Sequence, residues 1–279
     1  MTLANEAASR RALENLDLLI VQDMFMTETA REFAHVFLPA ASPLEKEGTF
    51  MSSERRIQRV RAALPPPGEA RSDQVIINMM GHAMGKPEAF AFATAEEVWS
   101  EIRAVWPDAF GITYQRLESG GLQWPCPSVD HPGTEILHSE SFPMGKTTAL
   151  RRVDYLPTKE TVDEEFPFLL VTGRTLHHFN AGTMTGRTRS YALDPVDCLS
   201  VAPADVERLG LIGGERVRVR SRYGSAELPV RVTPSVEPGQ LFSTFHNPKT
   251  FLNRITSTHR DRFVKAPEYK VTAVCIEKL

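Results

Sequence analysis

Residues 166–171, Phe-Pro-Phe-Leu-Leu-Val, are an apolar run of strand length, too short for a core helix. The run stops at Thr172-Gly173, and residues 172–187 then read TGRTLHHFNAGTMTGR. Between Phe166 and Asp194 there is no Asp or Glu, so no side chain in this stretch repels an anion. A buried strand that ends in a glycine and a basic, amide-rich loop presents backbone N–H groups to a negatively charged ligand. Gly173 allows close backbone approach, and Arg174 offers a planar fork of donors suited to phosphate. His177, His178, Asn180, Thr183 and Thr185 add side-chain donors and acceptors. An ordinary polar surface loop after a strand has the same composition, and composition leaves the two readings level. The loop is neither a Walker loop nor a dinucleotide fingerprint, since G-x-x-x-x-G-K-[ST] and G-x-G-x-x-G are both absent. Neighbouring His177 and His178 point to opposite sides of an extended chain, which argues against one metal taking both.

The residues after this loop alternate. Glu215–Ser221 and Ala226–Val232 flank a Tyr223-Gly224 turn and predict a β-hairpin. Leu241–Phe245 and Tyr269–Ile276 predict further strands, and Pro203–Leu209 a short helix ended by Gly210. About six strands with short helices predict a small barrel. Phe245, His246 and Asn247 close one of its strands, and a polar loop from Asn253 to Thr256 follows.

The first half has a different grammar. A weakly amphipathic helix over residues 1–15 precedes an apolar run, Leu16–Val21, that predicts a buried strand. Gln22 and Asp23 follow at its carboxyl end, where open α/β sheets bind ligands, although a plain turn acid fits the spacing better. Thr27 caps a helix to Ala34, and Val36–Pro39 predicts the next strand, so β–α–β points to part of a parallel, nucleotide-type sheet. Lys46, between Glu45 and Glu47, reads on composition as a solvated loop lysine, and the arginine-rich stretch 53–61 as an exposed strand. Ser72 and Asp73 cap a helix that Gly85 ends, and Thr94 with Glu97 makes a capping box for a helix running to Val105. Residues 120–155, rich in Pro, Gly and His, read as a connection over the surface. His131 and His138 have no cysteine nearby, which argues against a metal site there.

With 279 residues the chain is long enough for one large or two medium domains. A net charge of −3 excludes a general affinity for nucleic acid. Three dispersed cysteines, Cys126, Cys198 and Cys275, with no C-x-x-C, argue against a disulfide framework or a cysteine-ligated cluster in this chain and point to a reducing compartment. No apolar run reaches membrane-spanning length, and residues 1–19 lack the apolar core of a signal peptide, so the expected location is the cytoplasm.

Four stretches in order, VQDMFMTETA (21–30), LPAASPLEKEGTFMSSERRIQRV (38–60), VTGRTLHHFNAGTMTGRT (171–188) and APEYK (266–270), resemble the C-terminal part of molybdopterin-dependent oxidoreductases, in particular the formate dehydrogenase alpha subunit. GLQWPC (121–126) is similar to formate dehydrogenases rather than periplasmic nitrate reductases. The resemblance implies an α/β plus β fold: a partial, nucleotide-binding-like α/β domain over 1–115, a connecting segment over 116–164, and a double-psi β-barrel over 165–279. It implies a bis(molybdopterin guanine dinucleotide) cofactor with Mo or W. Gln22 and Asp23 would lie by a guanosine moiety, with Lys46 and Asp73 on the same dinucleotide. Thr172, Gly173, Arg174, Thr175, Leu176, His177, His178, Phe179, Asn180 and Ala181 would wrap the pterin and pyrophosphate, with Phe245, Asn253 and Lys270 completing the pocket.

The family's cluster cysteines, its cysteine or selenocysteine metal ligand and the adjacent histidine have no counterpart here, so no catalytic or metal-ligating residue is expected in this chain. Any 4Fe-4S cluster belongs to a missing N-terminal part. The implied partners are that catalytic half and electron-transfer subunits with Fe–S clusters, and neither nucleic acid nor a membrane. The expected function is the cofactor-binding part of a formate dehydrogenase catalytic subunit. A stand-alone pterin-binding or assembly module, and part of a nitrate reductase-like enzyme, are the alternatives.

Overall fold

The computed structural model describes residues 3–279, which form two compact units. One comprises Leu18–Arg152; the other joins the chain's beginning, through Asp17, to Val153–Leu279. Helix α1 (Glu6–Glu14) belongs with the second unit. Its N-cap residue Asn5 accepts from Ala8 N through its side chain and donates its backbone N–H to Thr256 Oγ1 at 3.1 Å.

In the unit of residues 18–152, β1 (Ile20–Asp23) and β2 (Val36–Pro39) pair in parallel, Ile20 opposite Val36 and Asp23 opposite Pro39. Helix α2 (Glu28–Phe33) makes the crossover, with the Thr27 hydroxyl accepting from Ala30 N. The expected β–α–β unit is present, but its first strand sits later than Leu16–Val21. Leu16 and Leu18 are exposed, and the ladder with β2 draws Gln22 and Asp23 into the strand itself. Strands β3 (Gly48–Met51) and β4 (Arg56–Val60) pair antiparallel, and β4 also pairs with β5 (Leu122–Gln123). Helix α3 (Asp73–Ala83) starts at Ser72, whose hydroxyl accepts from Val75 N. Helix α4 (Ala95–Val105) starts at Thr94, which accepts from Glu97 N, while the Glu97 carboxylate reaches back to Ala93 N rather than to the cap residue. Ile57, Trp99, Ile112, Tyr114, Leu117 and Cys126 pack into one core. The stretch after residue 116 is therefore more than a surface connection at its start: β5 joins a sheet and Cys126 is fully buried.

The second unit is a closed six-stranded barrel of β6 (Phe168–Gly173), β7 (Leu199–Val201), β8 (Arg216–Ser221), β9 (Ser225–Val232), β10 (Gln240–Thr244) and β11 (Val271–Lys278), in the order β10-β6-β11-β8-β9-β7. The β10–β6 and β7–β9 pairs are parallel and the rest antiparallel. Alternation along each strand sends Phe168, Leu170, Val217, Val219, Leu228 and Leu241 inward, while Arg218 and Glu227 pair on the outer face. Helix α5 (Pro203–Leu209) begins with the proline expected at a first helical position.

One buried carboxylate fastens the segment before β6 to the barrel wall. Glu160, 2% exposed, accepts from Ala273 N at 3.1 Å and from the Tyr223 hydroxyl at 2.5 Å. Burial, then the hydrogen bond to Glu160, pushes the Tyr223 phenol up to about 12. For the barrel core, Leu228→Ala removes a fully buried side chain and is expected to cost about 2–5 kcal/mol. Arg218→Ala, which breaks an exposed pair, should cost under about 1 kcal/mol. Urea unfolding followed by circular dichroism separates the two; equal costs would remove Leu228 from the load on the core.

Candidate functional site

Two separate groupings of polar residues form, one in each unit. In the unit of residues 18–152, Gln22 Nε2 donates to Asp73 Oδ1 at 2.6 Å and Lys46 Nζ donates to Asp73 Oδ2. Three residues far apart in sequence are thus joined by one carboxylate at the start of α3. Asp23 stays outside this trio and accepts from Phe25 N at 3.1 Å. Partial burial opposes ionisation of Asp73, but the hydrogen bonds from Lys46 and Gln22 together outweigh it and hold the carboxyl below its usual range. A cavity of about 280 Å³ opens beside the trio, lined by Lys46, Ser72, Asp73 and Gln74 on its polar side and by Val98, Trp99 and Ile102 on its apolar side. A second, of about 400 Å³, lies against Lys46, Ala70, Arg71 and Val75. Glu47 also lines the first cavity, and apolar walls with two carboxylates and an ammonium at the mouth suit a flat ring with N–H donors at its edge.

In the barrel unit, pairing places the loops. Because β10 runs parallel to β6 and both β11 and β7 run antiparallel to them, the segments after β6, after β10, before β11 and before β7 all leave from one end. That end collects Arg174, Arg187, Arg189, Lys249, Arg254, Arg260, Arg262, Lys265 and Lys270 against Asp194, Asp197, Asp261 and Glu268. A chain of net charge −3 has gathered a positive surface at one place.

Thr172 is buried, and its hydroxyl donates to Tyr269 O at 2.8 Å while its N–H donates to Lys270 O, so Lys270 is held beside the strand end. Gly173 lies so close to Phe242 that a Cβ there would fall 2.5 Å from the ring. Arg174 lies over the Phe179 ring at 5.3 Å, Thr175 caps the turn at His177 N, and Leu176 is fully exposed. His177 faces out and His178 in, although a turn at Leu176 and His177 rather than an extended chain separates them. Asn180 has φ 50° and Gly182 has φ +69°, so the backbone turns twice through the left-handed region around buried Ala181. Phe245 is buried in the barrel core against Tyr269, and Asn253 is buried in the turn after β10.

Beneath the loop lies a network that sequence reading left out. His178 and His246 stack with ring centres 4.0 Å apart, and both Nε2 atoms lie 2.9 Å from the carbonyl oxygen of Asp194. Asp197, 1% exposed, accepts from Thr244 Oγ1 at 2.6 Å and from His246 N and Asn247 N at 3.1 Å. The only signal in the sequence was the return of acid at Asp194 and Asp197 after a long stretch without any. Among the described residues no group of three or more His, Cys, Asp or Glu is placed to hold a metal ion, and no helix is long and apolar enough to cross a membrane.

Residues 168–273 match the Molydopterin dinucleotide binding domain, and residues 1–82 match Molybdopterin oxidoreductase. The chain belongs to the molybdopterin oxidoreductases. It is 43% identical over 272 residues to F420-dependent formate dehydrogenase 1 subunit alpha of Methanococcus maripaludis, covering 96% of this chain and 40% of that protein. It is 32% identical over 277 residues to the assimilatory nitrate reductase catalytic subunit of Bacillus subtilis, covering 96% of this chain and 39% of that protein. Acetylene hydratase from Pelobacter acetylenicus shares the fold, with a TM-score of 0.74 at 16% identity over 99% of this chain and 42% of that one. The chain therefore spans about two fifths of the length of the curated relatives it matches.

Two tests follow from this geometry. At Gly182 an added Cβ would meet His246 O at 2.8 Å in a left-handed backbone, whereas at Gly214 the backbone is equally left-handed and nothing lies within 4 Å. Gly214→Ala should cost about 1 kcal/mol from backbone strain alone, and Gly182→Ala clearly more, as read by thermal unfolding. Asp73 has a lowered folded pKa, so its contribution is present above the unfolded value of about 3.9 and is lost as pH falls through the folded one. Its side chain is 45% exposed, so the contribution should stay under about 1 kcal/mol. Asp73→Asn should flatten that part of the acid-unfolding limb; an unchanged limb would remove Asp73 from it.

Proposed function

We propose that this chain is the cofactor-holding part of a molybdenum- or tungsten-dependent formate dehydrogenase catalytic subunit. The observation that carries the reading is the basic end of the barrel, with its glycine-cradled loop over residues 172–187. The residues fit bis(molybdopterin guanine dinucleotide): close backbone approach at Gly173, a guanidinium at Arg174 and an ammonium at Lys270 suit pyrophosphate. Thr172 to Ala181, with Phe245 and Asn253 behind them, would hold the pterin and pyrophosphate on a barrel of double-psi winding. In the nucleotide-binding-like α/β unit, Gln22, Asp23, Lys46 and Asp73 would receive a guanosine moiety, the Asp73 carboxylate accepting from guanine N–H groups and Lys46 turning to phosphate. When bound, the cofactor supplies the Mo or W centre at which formate is oxidised to carbon dioxide and two electrons leave. This chain's own residues bind, orient and neutralise charge.

The metal's protein ligand and a 4Fe-4S cluster belong to a catalytic half outside this sequence. Electron-transfer subunits with Fe–S clusters and a cytoplasmic location complete the reading. The similarity to an assimilatory nitrate reductase keeps a nitrate reductase-like parent as the second reading, because the residues that would face the metal lie outside this chain.

Binding of GDP and of pyrophosphate to the purified chain, measured by calorimetry, tests the anion site. Arg174→Ala and Lys270→Ala are each expected to weaken pyrophosphate at least about tenfold, the scale of one charge-assisted hydrogen bond. Lys46→Ala should weaken GDP and leave pyrophosphate unchanged. Affinities that ignore all three substitutions would overturn the assignment. Formate-dependent dye reduction is expected only when the catalytic half is supplied, and turnover by this chain alone would refute its role as a holding part.

A further inference from the structure

The histidine network under the loop has a protonation state that its hydrogen bonds dictate. A backbone carbonyl only accepts, so the 2.9 Å contacts to Asp194 O require a proton on Nε2 of both His178 and His246. The Thr185 hydroxyl oxygen accepts from Phe179 N at 3.2 Å and lies 3.1 Å from His178 Nδ1, which ties His178 to the loop. His246 Nδ1 instead lies 3.0 Å from Asp197 Oδ1, whose carboxyl group already takes three donors. The contact is not aligned as a hydrogen bond, but a lone pair at Nδ1 would face another lone pair there, whereas a proton on Nδ1 makes the buried contact an ion pair and His246 an imidazolium.

We propose that His246, an imidazolium seated on Asp197 and stacked beneath His178, is the positioning residue that clamps the 172–187 loop to the barrel end, and that loss of one of its two ring protons loosens the loop. The stack sets the imidazolium against the face of the His178 ring, centre to centre at 4.0 Å with an 8° tilt, where a cation is attracted by the ring's electron-rich face. The clamp spans three segments: the loop after β6 through His178 and Thr185, the stretch before β7 through Asp194 and Asp197, and the end of β10 through His246. Gly182 completes it, since the loop passes so close that an added Cβ there would meet His246 O at 2.8 Å.

The charged neighbours agree in sign. Burial opposes charge on His246, but Asp197 and the Asp194 carbonyl outweigh it and raise the imidazole above its ordinary value. The Asp194 carboxylate is paired with Arg231 of β9 at 3.5 Å, and Tyr191 meets His178 edge-on at 6.1 Å. No cation lies between His246 and Asp197 in this set. A raised folded pKa means that the clamp is whole below the unfolded value near 6.5 and is lost as pH rises through the folded value.

The consequence for ligand capture rests on the anion-site reading above; the clamp itself does not. Nitrogen-15 histidine spectra of the ligand-free chain at about pH 7 should show His246 protonated on both nitrogens. A neutral His246 overturns the proposal. Proteolytic nicking between residues 174 and 187 should then rise between about pH 6 and about pH 9, by up to roughly tenfold for each pKa unit by which folding raises His246. His246→Gln, which keeps an amide donor without the charge, should nick fast at every pH; Asp197→Asn should move the profile towards lower pH. A wild-type profile that stays flat, or a His246→Gln profile that keeps its slope, refutes the clamp. If the spectra and nicking behave as stated but pyrophosphate does not bind, the anion reading fails and the clamp stands.

Discussion

The position of β6 between a parallel and an antiparallel neighbour governs the molecule's chemistry. Parallel pairing with β10 forces two strand ends to the same side of the barrel, and antiparallel pairing with β11 and β7 brings two strand beginnings there as well. Four segments with little in common in sequence are thereby obliged to share one surface. The hydrophobic interior makes this arrangement stiff: strands alternate inward and outward, and a slip of one residue would turn Leu170 and Leu228 to water. The basic and polar residues sit on irregular segments held by a rigid frame, and closing the barrel is what fixes the frame.

The α/β unit uses a different device. A parallel pair presents side chains at its carboxyl edge, and Gln22 reaches from that edge to the first turn of α3, where Asp73 stands. Lys46 meets the same carboxylate from a loop. Lys46 is less exposed than the arginines of the outer-face pairs of the barrel, and the Asp73 carboxyl group is held in the charged form. An ammonium already balanced by a carboxylate can exchange partners with an incoming phosphate at lower desolvation cost than a bare buried charge.

Much of the fold was legible because it is local. The hairpin of β8 and β9, the apolar run of β6 and the caps at Thr27, Ser72 and Thr94 are written in residues a few positions apart. The first strand was misplaced because Leu16 and Leu18 are apolar yet find no partner strand among the described residues, and hydrogen bonds to β2 rather than hydropathy decide the span. Short β7 and β5 went unread since three and two residues carry no period. The basic character of residues 172–187 was legible in their missing acids, whereas the composition around Lys46 gave no sign of Asp73. Likewise the seat of His246 on Asp197 depends on chain closure across dozens of residues. Long-range polar contacts of this kind leave no spacing in the sequence to be found.

Glu160 carries a lesson about where the barrel begins. Its carboxylate, wholly inside the wall, is the acceptor for a strand amide of β11 and for the Tyr223 hydroxyl in the β8–β9 turn. A shortened barrel that started at the first residue of β6 would contain every strand and still be incomplete, with an amide and a phenol stranded in a space that water fills poorly. The natural border of this folding unit is therefore drawn by a side chain in an otherwise irregular tether, and secondary structure alone would place it several residues too late.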